Sequence, residues 1–241
     1  LPSFNILAMS TSDKKRVLVL FGSESGNAER GIRRWVKKWQ SREGLNFEIG
    51  EIVSGNAMCK RLGGDSEANP KNLEFLISEF NYDVLLVCTS SYGHGDPPSN
   101  MHDFFHLIVH EASMRSDALT GMQHAVLGFG STTYPTFQNV PRLMDKCLGE
   151  CGSRRIVQRA EIDEHDENPG EEAEYKRWGE DVFTALQALP KADAPPACEW
   201  SQPASKVSEV AVDDKAPPAP TWYYAAIGVI IATTAAYIAT H

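Results

Sequence analysis

Three short stretches collect the residue types that hold a small polar ligand, and each follows an apolar run. The first is Gly22-Ser23-Glu24-Ser25-Gly26-Asn27-Ala28, placed between VLVLF (17–21) and an amphipathic segment. A strand, then small residues, then a helix start makes an anion site. Backbone N–H groups without intrahelical acceptors converge there with the positive end of the helix dipole. Ser23 and Ser25 add hydroxyl donors, and Gly26 lets the backbone wrap close. Residue identity rules out three other readings. A P-loop needs Gly-Lys-Ser/Thr where Gly26-Asn27-Ala28 stands. A dinucleotide fingerprint needs GxGxxG, and a nucleophile elbow needs serine where Glu24 stands. The loop is expected to grip one terminal phosphate without lysine or magnesium.

The second stretch is Thr89-Ser90-Ser91-Tyr92-Gly93-His94-Gly95-Asp96-Pro97-Pro98. Its hydroxyls suit a polyol chain, Tyr92 offers an aromatic face, and its glycines let peptide groups approach a flat ring. The third, Gly128-Phe129-Gly130-Ser131-Thr132-Thr133-Tyr134-Pro135-Thr136-Phe137, brings a second tyrosine after another glycine pair. A phosphate cradle, a hydroxyl-lined channel and two tyrosines describe a ligand with a phosphate, a sugar chain and a planar ring. Flavin mononucleotide (FMN) has that shape.

SESGNAE, TSSYGHGDPPSN and GFGSTTYPTFQN resemble the three flavin-binding loops of the flavodoxin-like family, most closely the FMN domains of diflavin reductases, over roughly residues 16–183. The resemblance implies an α/β fold with a five-stranded parallel sheet of order 2-1-3-4-5. It puts Ser23, Glu24, Ser25, Gly26, Asn27 and Ala28 around the phosphate, and Thr89, Ser90 and Ser91 along the ribityl chain. Tyr92 and Tyr134 would sandwich the isoalloxazine. Gly93, His94 and Gly95 would lie beside it, with Gly93 at the family's flipping peptide. Phe129, Gly130, Ser131, Phe137 and Gln138 would complete the pocket. Two residues depart from the pattern: His94 stands where an acidic or amide residue is usual, and Ser131 replaces a common Asn. Asp166 and Glu167 fall at the family's acidic pair near the ring, which assigns Glu167 to the cofactor site.

The elements that must position these loops follow from hydrophobic spacing. Continuous apolar runs at 17–21, 82–90 and 124–130 read as buried strands, 45–53 as an alternating strand and 154–160 as a weaker one. Ile32, Trp35, Val36 and Trp39 are spaced i, i+3, i+4, i+7 on a helix. Further helices are predicted at 72–80, 100–111, 140–151 and 171–189, the second with Met101, Phe104, Phe105 and Ile108 inward. Strands alternating with crossovers imply a parallel sheet covered on both faces, with ligands beyond the carboxyl ends of the strands.

The domain reading is an N-terminal extension (1–15), the flavodoxin-like domain (16–189), a Pro/Ala-rich linker (190–221) and a transmembrane helix (222–240). From Thr221 to Thr240 no residue is charged, and twenty residues at about 1.5 Å each cover roughly one hydrocarbon core. Trp222, Tyr223, Tyr224 and Tyr237 would form aromatic belts, and Gly228, Ala232 and Ala236 a stripe for packing against another membrane protein.

A net charge of −9 argues against a nucleic-acid partner. Residues 160–174 carry eight carboxylates and no Lys or Arg, and the face 161–174 is expected to dock a basic redox partner. His102, His106 and His110 form an i, i+4, i+8 row read as a solvent face, and no metal site is expected. The five cysteines show no CxxC pair. The sequence thus points to a membrane-tethered FMN protein that shuttles single electrons between a separate donor and an acceptor. The alternative is a docking subunit of a large membrane electron-transfer complex. Thylakoid, mitochondrial and endoplasmic reticulum membranes all fit.

Overall fold

The computed structural model describes residues 14–63, 71–163 and 169–190. The apolar runs become the centre of a parallel sheet. Strand β1 (Lys15–Phe21) pairs with β2 (Phe47–Ser54) on one side and β3 (Val84–Ser90) on the other, and β3 pairs with β4 (Gln123–Gly130). The outer strands β5 (Arg154–Arg155) and β6 (Ala160–Asp163) both pair with β4, giving the expected order 2-1-3-4-5. Helices α1 (Asn27–Gln40), α2 (Gly55–Cys59), α3 (Phe75–Ser78), α4 (His102–Ser113), α5 (Asn139–Glu150) and α6 (Pro169–Gln187) fill the connections.

Because successive strand residues point to opposite faces, a run that is apolar throughout builds two cores. Leu18, Leu20, Leu85, Val87 and Val126 pack under α2, α4 and α5 through Met58, Phe104, Ile108 and Met144. Val17, Val19, Leu86, Ala125 and Leu127 pack under α1 and α6 through Ile32, Trp35, Trp39, Trp178 and Val182. The predicted inward residues of both long helices are buried: Ile32, Trp35, Val36 and Trp39 on α1, and Met101, Phe104, Phe105 and Ile108 along α4.

Two elements differ from expectation. The helix predicted at 72–80 shrinks to α3, four residues, after which the chain turns at Asn81 with φ 54°. The strand predicted at 154–160 splits in two. Between the pairings His124↔Arg155 and Leu127↔Ala160, four outer residues stand opposite two of β4, so the chain bulges there.

The bulge serves a buried charge. Asp145 on α5 is 1% exposed and accepts from Arg155 at 2.8 and 2.7 Å, from Arg159 at 2.6 Å and from the His124 ring at 3.3 Å. Burial alone would raise its pKa. The hydrogen bonds from His124 and Arg155, with the charges of Arg155 and Arg159, more than offset that and hold the carboxyl below the usual carboxylate range.

The linker 190–221 beyond Pro190, the span 222–240, the stripe Gly228/Ala232/Ala236 and most of the extension 1–15 lie outside the described residues. Among the described residues no helix is long and apolar enough to cross a membrane.

Candidate functional site

The loops that follow β1, β3 and β4 meet at the carboxyl end of the sheet, joined by side chains. Loop 1 (22–26) is tied to the loop after β3 at two points and to β3 itself at a third. Ser23 N–H donates to Asn100 Oδ1 at 2.9 Å, Ser99 N–H donates to Glu24 Oε1, and Gly22 N–H donates to the Cys88 carbonyl at 2.9 Å. Asn56 at the start of α2 braces the same place: its Nδ2 donates to the Ser99 carbonyl and its Oδ1 accepts from Asp103 N–H, both at 2.9 Å. Loops 2 (91–101) and 3 (131–138) are joined by Thr136, whose hydroxyl donates to the Gly93 carbonyl at 3.3 Å. They are joined again by Ser91 Oγ, which accepts Val140 N–H at the start of α5 at 3.0 Å.

The backbone supports the phosphate reading. Gly26 is the N-cap of α1 in the left-handed region, φ 82°, and offers no side chain of its own to cap the helix start. Only glycine adopts that conformation without strain, so the first amides of α1 face a loop that has no side chain at the turn. Ser25 Oγ lies 3.4 Å from Asn27 N. The Ala28 side chain is buried in the core, which leaves its backbone as the part that could face the loop.

Two features fit a flat ring beside that cradle. Tyr92 is 59% and Tyr134 60% exposed, far more than other large aromatics of the described residues. Exposed apolar rings gain from a planar partner. Gly93 (φ 52°) and Gly95 (φ 104°) turn loop 2 sharply, and the loop closes on itself through Tyr92 N–H to Asp96 carbonyl at 2.8 Å. His94 sits exposed on that turn. Ser90, Ser91 and Ser131 are half-buried at its margins, the last with its hydroxyl on Thr133.

Other candidates lie deeper. Thr89 is fully buried, and its hydroxyl lacks a partner beneath Gly22. Gln138 is also buried, in a left-handed conformation (φ 63°). Its side-chain amide donates through Nε2 to the Ile162 carbonyl at 3.2 Å, while its Oε1 is unpartnered. Phe129 packs against Tyr175 with its ring under Gly31, and Phe137 covers Gly130. Glu167 and Asp166 fall outside the described residues. A polar depression of about 590 Å³ opens beside loop 3, between Thr132 and Phe137 on one side and Arg159, Asp163 and Arg177 on the other.

Within the acidic stretch 161–174, three of the described carboxylates are engaged internally, Glu174 by an ion pair with Arg177 at 3.6 Å. Glu161 accepts from Arg142 at 2.8 Å and Arg159 at 2.7 Å. The hydrogen bond from Arg142, against the opposing effect of burial, leads in holding its pKa below the usual range. Asp163 accepts Thr132 N–H at 3.1 Å and its hydroxyl as well. In the histidine row His102 and His110 are exposed and His106 is half-buried; among the described residues no group of metal-ligating side chains forms.

Sequence reasoning missed Asn56, Asn100 and Arg30. The asparagines act across sequence gaps that no periodicity reveals. Arg30 read as one more polar residue of α1, although its position four residues past Gly26 places it over the loop.

A family model described as flavodoxin matches residues 56–178. Among curated proteins, the chain is 28% identical over 187 residues to an NADPH–cytochrome P450 reductase of Candida tropicalis, covering 77% of this chain and 24% of that one. It is 31% identical over 169 residues to a methionine synthase reductase of Caenorhabditis elegans, covering 70% and 21%. The chain therefore spans about a quarter or less of these relatives' length. Among solved structures, oxidised flavodoxin 1 from Bacillus cereus superposes with a TM-score of 0.50 at 21% identity, covering 70% of this chain and 97% of that one, a likeness of fold.

Proposed function

Since the chain belongs to the flavodoxin family, with FMN as its cofactor, we propose that it is a membrane-tethered electron carrier that takes single electrons from a separate donor protein and passes them to an acceptor protein. The observation that carries this reading is the junction of the three loops, with a glycine N-cap at the start of α1 at one end and two exposed tyrosines at the other. When bound, FMN supplies the one-electron chemistry, and the chain's residues hold and tune it. The loop amides and Ser25 would bind the phosphate. Ser90 and Ser91 would flank the ribityl chain, and Tyr92 and Tyr134 would cover the ring. Thr136 fixes the Gly93 carbonyl beside it.

The uncharged stretch 221–240 supports tethering, and the Gly228/Ala232/Ala236 stripe supports packing against a membrane protein. The acidic face 161–174 would steer a basic redox partner through its carboxylates other than Glu161, Asp163 and Glu174. Location in a thylakoid, mitochondrial or endoplasmic reticulum membrane belongs to the same proposal. The test is to load the full chain with FMN, place it in liposomes and follow flavin reduction and reoxidation with a cytochrome P450 reductase-type donor and cytochrome c as acceptor. Turnover that needs the FMN-loaded chain and falls with ionic strength is expected. Loaded protein that neither accepts nor delivers electrons would instead favour a docking role in a larger complex.

A further inference from the structure

One cation overhangs the phosphate loop. Arg30, one turn into α1, donates from Nη1 to the Ser25 carbonyl at 3.3 Å and from Nη2 to Asn27 Oδ1. A Cβ added at Gly26 would stand 2.7 Å from Nη1, so the guanidinium lies directly over the N-cap. Both of its acceptors are neutral. Arg33, on the same helix, is by contrast paired with Glu29 at 2.8 Å, and Lys38 further along with Glu180 at 2.8 Å. Arg30 therefore keeps a full charge for an anion.

The loop needs that charge. Glu24 turns to the Ser99 N–H, which leaves a carboxylate inside a loop meant for a phosphate that carries nearly two negative charges. Helix-start amides offer only partial charges. The guanidinium also engages the acceptor end of the Asn27 amide, which leaves that amide's two N–H donors for the ligand.

Resting on the FMN reading above, we infer that Arg30 is the counter-charge that lets this loop hold the FMN phosphate beside Glu24, and so makes the chain prefer FMN to riboflavin. The test uses the full chain stripped of flavin and titrated with FMN and with riboflavin, followed by flavin fluorescence. Arg30→Gln is expected to weaken FMN binding about threefold to fivefold at low salt, the scale of one exposed charge-assisted contact, with riboflavin binding unchanged. Arg30→Lys should recover most of the loss. Arg34→Gln, which removes the same charge one turn further along, should bind both flavins as the wild type does. FMN affinity of the wild type should fall with salt more steeply than that of Arg30→Gln. Undiminished FMN binding by Arg30→Gln, an equal loss for both flavins, or an equal effect of Arg34→Gln would overturn the inference. A wild-type chain that takes up neither flavin would refute the cofactor assignment itself, a result visible without any variant.

Discussion

The two ends of strand β4 show opposite uses of polar side chains. Near its amino end, Asp145 is buried and met by Arg155, Arg159 and His124, and His124 in turn lies 2.9 Å from Ser153 Oγ. Near its carboxyl end, two tyrosines stand in solvent, and Thr89 and Gln138 keep buried oxygens without partners, as Gln123 does at the amino end. The buried charge network at the first end holds elements in register, while the two exposed tyrosines at the second offer faces to a planar molecule that the chain does not itself supply. Mutations at the first end should therefore change stability and spare binding, and those at the second should do the reverse.

The largest expected effect is at the amino end. Asp145→Ala leaves Arg159 and His124 without their partner and should cost about 3 kcal/mol of folding stability, measured by urea denaturation. FMN affinity, measured where the variant is still folded, should stay within about twofold of wild type. The pH dependence follows from the same carboxyl. Its pKa is lowered in the folded state, so the stability it contributes is present above the unfolded value of about 4 and is lost as pH falls through the lower folded value. Acid titration of stability should show this loss in the wild type and a shallower slope in Asp145→Asn.

At the carboxyl end, Tyr92→Ala and Tyr134→Ala should each weaken FMN binding roughly tenfold or more, the scale of one lost stacking face. Both side chains are exposed, so stability without flavin should shift by no more than about 0.5 kcal/mol. A fall in stability equal to that of Asp145→Ala would dissolve the contrast between the two ends. Gly26→Ala is expected to cost about 1 kcal/mol, because a side chain at φ 82° is strained and meets Arg30, and to weaken FMN but not flavin-free folding beyond that amount.

The smallest effect concerns the thiols. Burial, with nearby negative groups, pushes Cys147 up to about 11 and Cys151 up to about 12. Both should resist alkylation near neutral pH in the native chain, as mapped by mass spectrometry, and react once it is unfolded.

Much of this contrast was legible in the residues alone. The strands announced themselves because buried parallel strands are apolar on both faces, and the loops because glycine and hydroxyl residues follow such strands for a limited set of reasons. The split of the outer strand was not legible. It depends on Arg155 and Arg159 both reaching Asp145, a pairing across ten and fourteen positions that leaves no local pattern. The acidic stretch misled in part for the same reason. A run of carboxylates looks free until Arg142 and Thr132, distant in sequence, are seen to hold Glu161 and Asp163. Arg30 was hidden differently, since a cation on the polar face of an amphipathic helix looks like solvent-facing charge until its reach over Gly26 is drawn.

The central claim is that the three loops form one FMN site. Its most direct test is to incubate the full chain with FMN, desalt it and record the visible flavin band of the protein fraction. One FMN per chain, retained through desalting and with its fluorescence quenched by Tyr92 and Tyr134, is the predicted result. A colourless protein fraction, with all flavin eluting as the free molecule, would contradict it.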